Sequence, residues 1–68
     1  MKLADITPGR RYWTRYGSVV EVVRCGPDVG TLRGITARCV RSDGKLDSAA
    51  TWWPLHSFDH PFDHRGAM

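Results

Sequence analysis

The feature that most constrains the fold is a turn signal between two strand-like segments. Residues 35–41 (ITARCVR) and 46–53 (LDSAATWW) flank the tetrapeptide Ser42-Asp43-Gly44-Lys45. An Asp-Gly pair between two such segments is the strongest short-range signal for a β-hairpin, because a type I′ turn needs positive φ at both central residues. The sequence therefore predicts a two-residue loop at Asp43-Gly44 and an all-β fold.

Alternation along these two strands predicts which side chains face the core. In the earlier strand Ile35, Ala37 and Cys39 share a parity and are expected inside. The later strand divides into an inward set, Leu46, Ala50 and Trp52, and an outward set, Asp47, Thr51 and Trp53. A slip of one residue in the pairing would exchange the two sets.

Two further strands are predicted in the N-terminal half. Residues 10–15 place Arg11, Trp13 and Arg15 on one face, and residues 18–25 contain the strongly β-forming run VVEVV. Both faces of the second strand carry valine, so this strand is expected to be central in a sheet, bulged, or curled around a barrel core.

The later connections complete the order of elements. Residues 26–34 are rich in Gly and Pro and predict a long loop, while residues 55–58 are too short for an α-helix and fit a single 3-10 turn. Four strands, a long loop and a turn after the fourth strand follow the order of an SH3-like barrel. The segments that carry this resemblance are ITPGRRYW, SVVEVV, SDGK and WWPLHSF.

This resemblance covers about residues 3–58. It implies a small SH3-like barrel of four to five short antiparallel strands over residues 1–58, followed by a tail at residues 59–68. Similar barrels include ribosomal and transcription-associated RNA-binding proteins, Tudor-type modules and the plasmid type of dihydrofolate reductase. The reductase motif Val-Gln-x-Tyr would fall at residues 50–53, where this chain has Ala-Thr-Trp-Trp, so that activity is not expected.

A Tudor-type aromatic cage for a methylated cation is a second implication of the resemblance. The rings available for it are Tyr12, Trp13, Tyr16, Trp52 and Trp53. Packing in the core and at the barrel rim is the simpler explanation of the same rings.

The chain is short, and its charge is uneven. With 68 residues there is room for one thin core, and an enzyme pocket of roughly 300 Å³ would take most of it, so we expect no enzyme and no cofactor. Residues 1–41 hold Lys2 and seven arginines against three acidic residues, a net charge of +5, whereas residues 42–68 carry −2. A basic body favours an anionic partner, although small domains also carry such charge for solubility.

Arginine and aromatic side chains are interleaved on the predicted strands. We expect a binding surface formed by five outward side chains: Arg11, Trp13, Arg15, Arg38 and Trp53. Guanidinium groups neutralise phosphate and flat rings stack on unpaired bases, which favours nucleic acid as the partner. The alternative is an acidic protein partner, because Arg and Trp are also typical of protein hot spots, and small phage and mobile-element accessory proteins of this size are common. A homo-oligomer is compatible with either partner.

Three histidines recur near the C-terminal end. His56, His60 and His64 are spaced four apart with aspartates alongside, and both types are ligands for Zn²⁺ or Ni²⁺. Pro61 interrupts any continuous helix through them. We therefore expect a tail that packs on the barrel and holds no metal.

The cysteines and the hydropathy pattern bear on the compartment. Cys25 and Cys39 are not part of a Cys-x-x-Cys pair, which leaves a disulfide or, favoured without an export signal, two reduced thiols. No apolar run approaches the ~20 residues of a membrane span, and the N-terminus lacks the hydrophobic region of a signal peptide. We expect a cytoplasmic protein without membrane contact.

Overall fold

The computed structural model describes residues 2–62, in which five strands form one antiparallel sheet. The strands are β1 Arg11–Thr14, β2 Val19–Cys25, β3 Gly34–Val40, β4 Thr51–Pro54 and β5 Phe58–Pro61. A 3-10 turn at Leu3–Asp5 precedes β1, and a second at Leu55–Ser57 joins β4 to β5. The predicted all-β class with a 3-10 turn near the C-terminal end is confirmed. No helix within residues 2–62 is long and apolar enough to cross a membrane.

The strand order β4-β3-β2-β1-β5 leaves β4 and β5 at the two edges of the sheet. No ladder joins these edges within residues 2–62, so the sheet is not closed into the barrel that the resemblance implied. The 3-10 turn spans the gap instead: Leu55 N donates to Arg33 O, and Arg15 N donates to Ser57 O, each at 2.8 Å. β5 continues to Pro61, past the boundary expected at residue 58.

One side of the sheet carries the core. Its seven buried hydrophobic side chains are Ile6, Tyr12, Val20, Val22, Ile35, Ala37 and Phe58. Ile35 and Ala37 face inward as predicted, and the half-buried Cys39 packs against the same cluster. Cys39 and the exposed Cys25 are both free thiols.

The turn that follows β3 has three residues, Ser42, Asp43 and Gly44, not the predicted two. Arg41 N donates to Lys45 O at 2.8 Å, Gly44 N donates to Arg41 O at 2.9 Å, and within the loop only Gly44 has a positive φ, 86°. This is the hairpin loop in which a turn is followed by a left-handed glycine. Asp43 contributes a side-chain acceptor for Lys45 N at 3.0 Å and not the positive φ that a type I′ turn requires.

The extra loop residue reverses the predicted faces of the following strand. Leu46 lies opposite Val40, whereas a two-residue loop would place it opposite Arg41, and a one-residue slip moves every side chain to the other face. Trp53 accordingly pairs with Ile35 and lies on the core side. The other predictions for this strand divide as follows: Trp52 lies on the outer side, Ala50 is exposed, Asp47 and Leu46 are half-buried, and Thr51 is exposed as predicted.

The long loop is fixed to the outer side of the sheet. Trp52 Nε1 donates to Pro27 O at 2.6 Å, and Thr36 Oγ1 donates to Gly26 O at 2.7 Å. Gly34 allows this approach, because a Cβ atom there would collide with the Trp52 ring and the Pro27 carbonyl. Trp52 therefore packs against a loop and not against the core.

Candidate nucleic-acid interface

The strand register places a row of charged side chains across the outer side of the sheet. Arg11 on β1 lies opposite Glu21 on β2, and Glu21 lies opposite Arg38 on β3. Arg11 Nε contacts Glu21 Oε1 at 3.2 Å. Arg38 is exposed and forms no ion pair with any residue between 2 and 62. One guanidinium of the row is thus held by a carboxylate, and the other points to solvent.

A second row of side chains on the same side of the sheet is apolar, and each of its members on β1 to β3 lies two residues from a member of the charged row. Trp13 on β1 lies opposite Val19, Val19 lies opposite Val40, and Val40 bridges to Leu46. All four side chains are half-buried. On the other side of Trp13, β5 places His60, whose ring centroid lies 6.4 Å from the indole.

An open groove of about 590 Å³ lies along this apolar row. Trp13 and Phe62 supply its aromatic lining, with ring centroids 5.5 Å apart and planes inclined by 66°. Arg11 and Arg41 also line the groove. The Arg11 side chain reaches Gly44 O at 3.5 Å, so it extends from β1 to the turn between β3 and β4.

Two turns at the same end of the sheet complete the groove. Gly17 and Ser18 come from the turn between β1 and β2, and Ser42 and Gly44 come from the turn between β3 and β4. Gly17 and Gly44 have φ values of 83° and 86°, which residues other than glycine rarely adopt. Tight, glycine-containing turns therefore leave the apolar row uncovered at this end.

The five side chains predicted to form one surface do not lie together. Arg11, Trp13 and Arg38 share the outer side of the sheet. Arg15 lies beyond the end of β1 in the turn to β2, where it is exposed, and Trp53 lies on the core side. The predicted outward placement is confirmed for Arg11, Trp13 and Arg38, and it is wrong for Trp53.

Of the groove residues, sequence reasoning predicted Arg11 and Trp13 and missed the others, among them Val19, Val40, Arg41 and Phe62. Phe62 was assigned to the tail, but its backbone N donates to Arg11 O at 2.9 Å, directly after β5. The pattern that would have found Val19 and Val40 is their shared parity with Trp13 once the hairpin register is known. Nothing local in the sequence places Phe62 beside Trp13.

The histidine cluster does not form a metal site in the described part of the chain. His56 is exposed on the 3-10 turn, and His60 lies on β5 beside Trp13. Residues 2–62 contain no group of three or more His, Cys, Asp or Glu that could hold a metal ion. His64 lies outside the described residues.

Comparison with known proteins identifies no relative. No protein-family model matches the chain, and no curated protein and no solved structure is significantly similar to it. The geometry of the groove therefore carries the functional conclusion.

Proposed function

We propose that this protein is a non-catalytic binding module that takes a single strand of nucleic acid along the groove on the outer side of its sheet. The supporting observation is the placement of Trp13 in an open groove that Arg11 and Arg41 line, with the exposed Arg38 on the same side. Guanidinium groups recognise phosphate, and an indole stacks on any base. This combination suits a partner in which phosphates and bases follow one another at short intervals.

The two groove arginines each contact a carboxylate, Arg11 that of Glu21 and Arg41 that of Asp47, which weakens the attraction to phosphate. Arg41 Nε contacts Asp47 Oδ1 at 2.7 Å, but the two side chains are 61% and 41% exposed. Exposed ion pairs contribute only about 0 to 1 kcal/mol. A phosphate, which accepts paired hydrogen bonds from a guanidinium, can therefore replace the carboxylate at little cost.

The width of the surface favours a single strand over a duplex. Neighbouring strands of a sheet lie about 4.8 Å apart, so the row from β1 to β3 is about 10 Å wide. A splayed single strand presents unstacked rings at this scale, whereas a duplex keeps its rings stacked inside. We infer that Trp13 stacks on one such ring.

An SH3-like fold remains our inference for the architecture. It is supported by the 3-10 turn Leu55–Ser57 between β4 and β5 and by the short antiparallel strands, although the sheet edges are not paired with each other in residues 2–62. The binding surface proposed here does not depend on that assignment.

The second candidate function is binding to an acidic protein. In that case this chain would be a protein-interaction module or a small phage or mobile-element accessory protein. The aliphatic side chains Val19, Val40 and Leu46 next to Trp13 favour it, because an apolar centre with an arginine border is typical of protein interfaces. A pull-down from nuclease-treated and untreated lysate separates the two candidates. A protein recovered after nuclease treatment supports this second candidate.

A salt titration tests the nucleic-acid proposal. Fluorescence anisotropy with a labelled twelve-residue oligothymidylate should show saturable binding, and three arginine–phosphate contacts on a single strand give a slope of log affinity against log salt of about −2. Arg38→Ala should reduce the magnitude of this slope by about 0.7. Arg33→Ala removes an equal charge from the exposed loop outside the groove and should leave the slope unchanged.

A pair of Trp13 variants tests the stacking contact. Trp13→Ala should weaken binding by about 1 to 3 kcal/mol, while Trp13→Phe should retain most of the affinity because it keeps a ring. Circular dichroism of each variant checks that the sheet is intact. Absence of binding by the unaltered protein at low salt would remove the nucleic-acid proposal.

A further inference from the structure

A second pair of aromatic rings lies on the other side of the turn that borders the groove. Tyr16, in the turn between β1 and β2, is 67% exposed, more than any other large hydrophobic side chain in residues 2–62. Its ring centroid lies 6.4 Å from that of Trp53 on β4, and the planes are inclined by 38°. Trp53 is half-buried against the core, so Tyr16 extends this aromatic surface into solvent.

Hydrogen bonds hold the Trp53 ring and the backbone of the turn that carries the Tyr16 ring. Trp53 Nε1 donates to Thr51 Oγ1 at 2.9 Å, and Thr51 Oγ1 donates to Ala37 O at 3.3 Å, which fixes the indole on the sheet. Tyr16 N donates to Thr14 Oγ1 at 3.3 Å, which fixes the turn that carries the phenol ring. A flat ligand would therefore meet an indole that is already fixed and would mainly have to order the Tyr16 side chain.

The pair adjoins the groove through the turn itself. Gly17 and Ser18, which follow Tyr16, line the groove, and Arg15, which precedes it, is exposed. Along the turn, the Tyr16 ring therefore comes next after the groove, with the exposed guanidinium of Arg15 beside it. A ring next to a cation suits a nucleic acid, in which bases and phosphates alternate.

We propose that Tyr16 and Trp53 form a second stacking site for an unpaired base of the same strand that occupies the groove. This inference rests on the proposed function. A cage for a methylated cation would need more rings, and the other three lie elsewhere: Tyr12 is fully buried, and Trp13 and Trp52 are on the outer side of the sheet. Two inclined rings form an open surface that suits a planar base.

Replacement of the exposed ring tests the second site. With the labelled twelve-residue oligothymidylate, Tyr16→Ala should raise Kd by about 5- to 150-fold, the range found for loss of one base stack. The slope against salt should not change, because no charge is lost. Tyr16→Phe should stay within about twofold of the unaltered protein because it retains a ring. Leu32→Ala, which removes another exposed apolar side chain, should have no effect.

The outcomes separate this inference from the proposed function. An unchanged Kd for Tyr16→Ala, together with weaker binding by Trp13→Ala, would overturn the second site and leave the groove proposal in place. Weaker binding by Tyr16→Ala, with no effect of Trp13→Ala, would support the ring pair and count against the groove. If the unaltered protein binds no oligonucleotide, both fail. Circular dichroism confirms that each variant is folded, which the exposure of Tyr16 leads us to expect.

Discussion

Tyr12 joins the segment before β1 to the core. Its ring is fully buried and meets Phe58 edge to face at 5.8 Å. Its hydroxyl accepts from Thr7 N at 2.7 Å and donates to Asp5 O at 3.2 Å. The polar end of a buried tyrosine requires such partners, so one side chain fixes both the core and the path of the N-terminal segment.

Removal of this hydroxyl should be measurable. Tyr12→Phe should lower the free energy of unfolding by about 1 to 2 kcal/mol, because Thr7 N loses its acceptor and Asp5 O its donor. Urea denaturation measures the loss, with Tyr16→Phe as the matched control, since that hydroxyl belongs to an exposed side chain. Equal stability of the two variants would contradict the role assigned to the Tyr12 hydroxyl.

Ser57 presents the opposite case of a hydroxyl that costs stability. It is fully buried in the 3-10 turn, and its Oγ atom has no hydrogen-bond partner within residues 2–62. An unsatisfied buried polar group costs about 1 to 3 kcal/mol. Ser57→Ala should therefore raise the free energy of unfolding by about 1 kcal/mol and raise Tm by about 4 to 8 °C. A lower Tm in a calorimetric scan would show that the hydroxyl is used.

At the scale of elements, the length of one turn decides the faces of β4. The loop of Ser42, Asp43 and Gly44 places Leu46 opposite Val40. The register shifts by two residues before Thr51 pairs with Ala37, and this even shift keeps the parity that leaves Trp52 outside and Trp53 inside. The ladder itself is interrupted at residues 47–50, so β4 begins at Thr51. If the loop were one residue shorter, Trp52 and Trp53 would exchange the faces of the sheet on which they lie.

The contact between β3 and the long loop requires glycine at position 34, because there is no room there for a side chain. Gly34→Ala should lower the free energy of unfolding by about 1 to 3 kcal/mol, because the new methyl group would overlap the Trp52 ring and the Pro27 carbonyl. Urea denaturation of this variant, of Trp52→Phe and of the double variant forms a double-mutant cycle. We expect the two changes not to add, since the smaller ring relieves part of the overlap. Additive losses would indicate that the glycine and the indole are independent.

The whole molecule depends on one cluster on one side of one sheet. Ile35, the second residue of β3, is fully buried in this cluster, and it pairs with Cys25 and Trp53 on the neighbouring strands. A domain of this size has a total stability on the order of 5 to 15 kcal/mol. Loss of one central side chain should therefore affect every strand at once.

A single substitution tests this cooperativity. Ile35→Ala should lower the free energy of unfolding by about 2 to 5 kcal/mol, with coincident urea transitions by circular dichroism and tryptophan fluorescence. Val29→Ala, which truncates a 55% exposed side chain, should change stability by less than about 0.5 kcal/mol. Separate transitions for the two probes would show that the edges of the sheet unfold independently of its centre.

Local patterns alone predicted much of this molecule. The all-β class, the first three strands to within one residue at each end and the 3-10 turn at Leu55–Ser57 follow from period-two alternation and from turn-forming Gly and Pro, which act over a few residues. The inward faces of Ile35 and Ala37 and the outer placement of Arg11 and Trp13 follow from the same alternation.

Tertiary structure decided what alternation leaves open. The face of Trp53 depends on whether a loop has two or three residues, and Asp-Gly fits both. The groove depends on Phe62, which reaches Trp13 only because β5 pairs with β1. Arg15 leaves the predicted surface because β1 ends at Thr14. In each case the outcome depends on how the strands pair and where they end, and the residue pattern leaves this open until the register of the sheet is set.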